Sequence, residues 1–215
     1  MTAFTMSTSL VFGYFRVELR DYAIEERGET DGSSASRVLG PPRWSFSMRS
    51  PDTAGMSESQ AAVWQDQFMS LRGRINHLGV WDINRAAPRG SLRGSTLTLS
   101  TTPAIGAATI VVNAGVSEAG TTLFVGDYLQ VGTGVGSQLF MVVTGGTANG
   151  SGVISVDVVP NVRPGTNFVG GSTPVFWDKP KAYTKLTGNS FGWDYIPGLN
   201  TRRGFAVDLL ENWQT

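Results

Sequence analysis

The chain has 215 residues, and 17 Lys+Arg balance 17 Asp+Glu, so no long-range field gathers nucleic acid or an acidic membrane. Charged residues make up only 16% against 40% apolar, which excludes a disordered chain and suits a protein that works inside an assembly. With no cysteine and one histidine, disulfide frames, thiolate nucleophiles and a two-histidine metal site within one chain are excluded, and no cofactor is expected.

The chain begins MTAFTMSTSLVFGYF, with no basic start and an apolar run broken by Thr and Ser. It is expected not to be a signal peptide, and no later stretch is long enough to span a bilayer, so a soluble protein made in a cytoplasm is expected. In YFRVELRDY, Phe15, Val17 and Leu19 alternate with Arg16, Glu18 and Arg20, the period of a half-buried strand. ERGETDGSSASR is too polar for a core and has turn chemistry, so it predicts an exposed hairpin tip or arm. RWSFSMRS returns to alternation, with Trp44, Phe46 and Met48 on one face.

A helix follows. Ser57 can cap it and Gln60 completes a capping box, while Gly73 is placed to end it. Ala61, Trp64, Phe68 and Leu71 then share one stripe that packs the helix onto a sheet. HLGVWDI predicts a further strand, and KAYTKLT and RGFAVDLLENW predict closing strands.

Between them composition changes. All six tryptophans lie outside residues 95–174, a window with 14 of the 27 glycines and four charged residues, Glu118, Asp127, Asp157 and Arg163. The simplest layout is an outer domain, 1–94 plus 175–215, interrupted by an inserted domain, 95–174. Within the insert, ATIVVN, YLQVG, QLFMVVT and VISVDVVP are short β-branched runs separated by Gly and Asn, the pattern of a small barrel or sandwich. The fold class is mostly β (α+β), with one flanking helix and an inserted all-β domain.

Candidate sites are few. Gly132, Gly134 and Gly136 have neither the Lys nor the following helix of a phosphate loop, so they predict the turn of a β-hairpin. His77 stands alone, with no nucleophile elbow elsewhere, and a structural or surface role is expected. Glu25-Glu26, Glu29-Asp31 and Asp208-Glu211 are the nearest carboxylate pairs for glycoside chemistry; solvated charge is the ordinary explanation. Arg85, Arg89 and Arg93 recur every four residues among Pro88, Gly90 and Gly94, either as a solvated linker or as a subunit contact. Nucleic-acid recognition is disfavoured by neutrality and by three lysines.

The order RWSFSMRSP, SESQAAVWQDQFMSLRGRINHLGVWD, GDYLQVG…QLFMVV…ANGSGVISVDVVPNVRP and FAVDLLENW resembles the minor tail proteins of long-tailed bacteriophages, in particular distal tail proteins, over nearly the whole chain. The resemblance implies a non-enzymatic virion protein, assembled in the bacterial cytoplasm. It would form a hexameric ring that joins the tail tube to the tail-tip hub and receptor-binding parts. Partners would then be further copies of the chain, the tail-tube protein and other minor tail proteins, with phage DNA only in transit through the lumen. It also implies a tail-tube-like sandwich or split barrel in the outer domain, an arm near 22–40 that clasps the next subunit, and a peripheral insert. Candidate interface residues are Arg85, Arg89, Arg93, Glu25 and Glu26. The alternative is a host-surface carbohydrate-binding module in the insert, whose aromatics, Phe124, Tyr128, Phe140 and Phe168, can all be explained as core.

Overall fold

Period-two alternation governs both β bodies of the computed structural model, which describes residues 2–27, 34–51, 56–188, 191–196 and 201–212. The chain opens with β1 (Ala3–Thr5), β2 (Tyr14–Arg27), β3 (Ser34–Arg49), the helix α1 (Glu58–Met69) and β4 (His77–Val80). Then come β5 (Leu97–Leu99), β6 (Thr109–Asn113), β7 (Thr122–Leu123) and β8 (Tyr128–Val131). They lead to β9 (Gln138–Thr144), β10 (Gly146–Thr147), β11 (Val153–Val159) and β12 (Pro174–Phe176). β13 (Ala182–Leu186), β14 (Asp194–Ile196), β15 (Thr201–Arg203) and β16 (Ala206–Glu211) follow. The protein is mostly β, with one α-helix among the described residues.

One six-stranded sheet has the order β1-β4-β13-β16-β3-β2. Its core face carries Trp44, Phe46 and Met48 of β3, Val207 and Leu209 of β16, and Leu78 and Val80 of β4, all buried in one cluster. α1 packs there because its stripe has nowhere else to leave water: Ala61, Trp64, Phe68 and Leu71 are all buried in that cluster. Burying Trp64 and Phe68 contributes several kcal/mol, at roughly 25 cal/mol per Å² of apolar area. The Ser57 hydroxyl accepts from the Gln60 N–H while the Gln60 side chain accepts from the Ser57 N–H, which is the expected capping box. The helix ends earlier than Gly73: Met69 is its last residue, and Arg72 and Gly73, both at positive φ, form the turn that follows. Leu71 thus enters the core from that turn.

β4 and β13 are antiparallel neighbours with Val80 opposite Ala182, so the chain leaves and re-enters the sheet at adjacent points. That proximity lets a whole body be inserted without disturbing the host sheet. The inserted body is a closed barrel, β11-β6-β5-β12-β8-β9. Closure leaves no strand edge to mispair. Leu99, Val112, Leu129, Val131, Phe140 and Val156 are among the residues that fill it. Barrel material extends slightly past the compositional window on both sides, since Leu92 is in its core and β12 ends at Phe176. The sequence left barrel and sandwich open for this body, and a barrel is what forms.

Barrel and sheet are fastened around Trp44 of β3. The Trp44 indole donates to the Leu139 carbonyl at 2.9 Å and meets the Tyr128 ring edge-on at 5.6 Å between centroids. Burial raises the Tyr128 hydroxyl to about 12, so it stays neutral. Arg163 is buried beside them and donates to the Ser137 carbonyl at 2.8 Å. Burial lowers its guanidinium to about 10, and the charge of Glu211 on β16 opposes that loss.

Candidate assembly surfaces

β3 is the partner of both β2 and β16, but over very different lengths. β16 pairs only with Ser45–Arg49, whereas β2 follows β3 from Tyr14 opposite Arg49 to Arg27 opposite Ser34. Beyond Arg20 and Arg43 the two strands therefore pair only with each other, as a two-stranded ribbon that leaves the sheet. Register shifts flank Tyr22, and such irregularities re-aim a strand. Pro41 and Pro42 have no N–H to offer a further strand, and the Arg43 guanidinium lies 5.6 Å from the Tyr22 ring centroid. Glu25 is opposite Ser36 and Glu26 opposite Ala35; their side chains, and residues 28–33 with Glu29 and Asp31, lie outside the described residues.

The three spaced arginines lie on the strap that enters the barrel, and each donates within its own chain. Arg85 donates to the Gly126 carbonyl at 2.5 Å. Arg89 donates to the Val125 carbonyl and lies 3.9 Å from the Asp127 carboxylate. Arg93 donates to the carbonyls of Pro88, Gly90 and Leu92, and its guanidinium sits 5.1 Å from the centre of the Trp177 ring. Arg89 and Arg93 both retain surface, and the Arg89 side chain is 58% exposed.

The organising group is Asp127, which sequence reading passed over. Its buried carboxylate accepts the N–H groups of Arg89 at 2.8 Å, Gly90 at 3.2 Å and Phe124 at 2.8 Å. The signal was present as an acid in an almost uncharged window, directly after a glycine. Gly90 has to be glycine because a Cβ there would sit 2.0 Å from the Thr122 carbonyl oxygen.

The glycine-rich stretch is the turn of the β8–β9 hairpin, with Val131 opposite Gln138 and a single 3-10 turn over Gly134–Gly136. Gly132 and Gly134 adopt positive φ, which explains their identity without any ligand. His77 is buried in β4 with its ring nitrogen 3.4 Å from the Asn212 side-chain oxygen, a structural position. Asp208 and Glu211 point to opposite faces of the sheet: Asp208 accepts the Ser47 hydroxyl at 2.6 Å on the outer face, while Glu211 accepts the Trp44 N–H from the core side. They cannot flank one scissile bond. Among the described residues no three His, Asp or Glu side chains gather as metal ligands, and no helix is long and apolar enough to cross a membrane.

Compared with known protein families and with curated proteins, the chain matches none. Its surfaces must therefore be read on their own chemistry.

Two more surfaces bear on partners. Tyr128, Phe140 and Phe168 are core residues, but Phe124 is not: it is 49% exposed beside the exposed Val125. A mainly apolar cleft of about 620 Å³ opens between the ribbon base and the barrel, with Leu19, Tyr22, Pro41, Pro42, Ile105 and Val162 in its walls. Neither was visible in the sequence, because both depend on where the barrel meets the ribbon.

Proposed function

We propose that the chain is a non-enzymatic distal tail adaptor of a long-tailed bacteriophage, closing into a hexameric ring between tail tube and tail-tip hub. The observation that carries this reading is the ribbon. A two-stranded ribbon is marginally stable alone in water, so one that leaves its own sheet needs a second surface to lie on. Copies related by rotation supply that surface to one another, and a ring follows when the rotation closes. Glu25 and Glu26 on the ribbon, and the entry strap with Arg85, Arg89 and Arg93, are the proposed contacts; Arg89 and Arg93 are exposed. The tail-tube protein, the hub and other minor tail proteins are the proposed neighbours, and the lumen passes DNA without gripping it.

The reading is tested by the mass of the purified full chain, alone and with tail partners. A ring-sized species is expected, and removal of residues 24–36 should return it to monomer. Persistent monomer under every condition, or unchanged assembly after the deletion, counts against it. A second reading, a host-surface carbohydrate module, has one observation in its favour, the exposed ring of Phe124. Titration with host polysaccharide should then lose its response in Phe124→Ala; no response in the wild type removes that reading.

A further inference from the structure

The six-stranded sheet has a second face, opposite α1. On it stand Arg16, Glu18 and Arg20 of β2, Arg49 of β3, Asp208 of β16 and Lys185 of β13, and Lys181 lies along it beside Gly79. Ser45, His77 and Gly79 are buried there, but the charged residues are exposed or half-exposed. Arg43, opposite Arg20, stands on the same face, so among the described residues six cations share it with two carboxylates, in a chain whose formal charge is zero. Both acids are already engaged on this face. Glu18 lies between two guanidiniums, 3.5 Å from Arg16 and 3.8 Å from Arg20, and Asp208 already accepts the Ser47 hydroxyl. Arg49 lies 5.6 Å from the centre of the Tyr14 ring, on the same face.

The balancing negative charge is concentrated elsewhere. Residues 21–40, which contain the ribbon strands, carry Asp21, Glu25, Glu26, Glu29 and Asp31 against Arg27 and Arg37. The ribbon prolongs β2 and β3 beyond the end of their pairing with the rest of the sheet. We propose that this cationic sheet face is the receptor for the acidic ribbon of a second copy of the chain. The inference rests on the ring reading and names the surface that the ribbon occupies. Two features follow from the chemistry. Exposed charges are screened beyond about 10 Å at 0.1 M salt, so assembly weakens as salt rises. Opposed charges also fix which face and which direction the ribbon takes, because like-charged registers are disfavoured.

The experiment is charge reversal followed by restoration on the full chain, read by light scattering and native mass. Arg16→Glu with Arg20→Glu, and separately Arg49→Glu with Lys185→Glu, should each weaken self-association at least tenfold while leaving the circular dichroism unchanged. The second pair lies on other strands and keeps the test valid if the first disturbs β2. Glu25→Lys with Glu26→Lys should weaken association similarly, and combining it with either sheet pair should restore most of the loss. Assembly that survives both sheet variants overturns the inference and leaves the ring reading standing. A wild-type chain that never associates removes both. Salt-sensitive retention of duplex DNA that the sheet variants abolish, with assembly intact, would reassign the face to nucleic acid and overturn the inference.

Discussion

Asp127 shows what one buried charge does for a segment without regular structure. The strap from Trp81 to Ser95 has few strand partners, so its N–H groups need acceptors, and one carboxylate serves Arg89, Gly90 and Phe124 together. Asp127→Asn keeps the shape but turns an amide NH₂ toward those donors. It should lower stability by about 2 kcal/mol, the scale of a buried group left unsatisfied, measured as a shift in the urea midpoint. His77 makes a different residue-scale prediction. Burial, helped by the charge of Lys185, holds its imidazole below the ordinary 6.5. The unfolded chain takes up a proton near pH 6.5 that the folded chain still refuses. Stability is therefore full above about pH 6.5 and declines as pH falls toward the folded value. Urea titrations at pH 7.5 and 5.5 should show that decline in the wild type, and His77→Gln should remove the part due to this group.

Among the elements, β3 has three tasks: link between β16 and the edge strand β2 in the first sheet, half of the ribbon and anchor of the barrel. Trp44 is where they meet. Trp44→Phe keeps an aromatic ring against Tyr128 but strands the Leu139 carbonyl, and should cost about 1 kcal/mol; Trp44→Ala should cost about 3–5 kcal/mol by opening a cavity. Separate probes on sheet and barrel should then report separated transitions, because the junction that couples them is weakened; a single shared transition in Trp44→Ala would show that coupling runs elsewhere. The alternation of Trp44, Phe46 and Met48 was legible in the sequence, as were the Ser57 cap and the insert's strand runs, since each is a local pattern. What covers Trp44 was not. Tyr128 and Leu139 lie more than eighty residues away, and nothing near Trp44 distinguishes an indole under a helix from one under a barrel. The partners of the arginines were illegible for a related reason. Within the chain they donate to backbone carbonyls, which every sequence contains and no pattern marks. Sequence allows Phe124 to be core with the other three aromatics, but it and its neighbour Val125 are exposed. Only barrel closure separates inward from outward positions at that turn.

At the scale of the whole molecule, two cores share one chain. The sheet cluster is built from residues on both sides of the insertion, with Tyr128 and Leu139 as contributions from the barrel. The barrel cluster runs from Leu92 to Val175 with Trp177 packed on it, and takes nothing from the sheet strands. That asymmetry predicts unequal independence. A fragment of residues 87–178 keeps the strap from Ala87 onward, Asp127 and every barrel strand, so it should fold alone, with dispersed amide resonances and one cooperative melt. The host chain, with 82–180 replaced by a short Gly-Ser linker between Trp81 and Lys181, joins residues next to Val80 and Ala182, which are already opposite each other in the sheet. Loop closure there is entropically mild. Yet removing the barrel uncovers Trp44 and withdraws Arg163 from Glu211, leaving that acid buried without its barrel counter-charge. The host should therefore be the weaker piece, with a lower urea midpoint and greater dye binding than the full chain. A disordered barrel fragment would show instead that the sheet templates the insert, and that the sheet body and its insert fold as one unit.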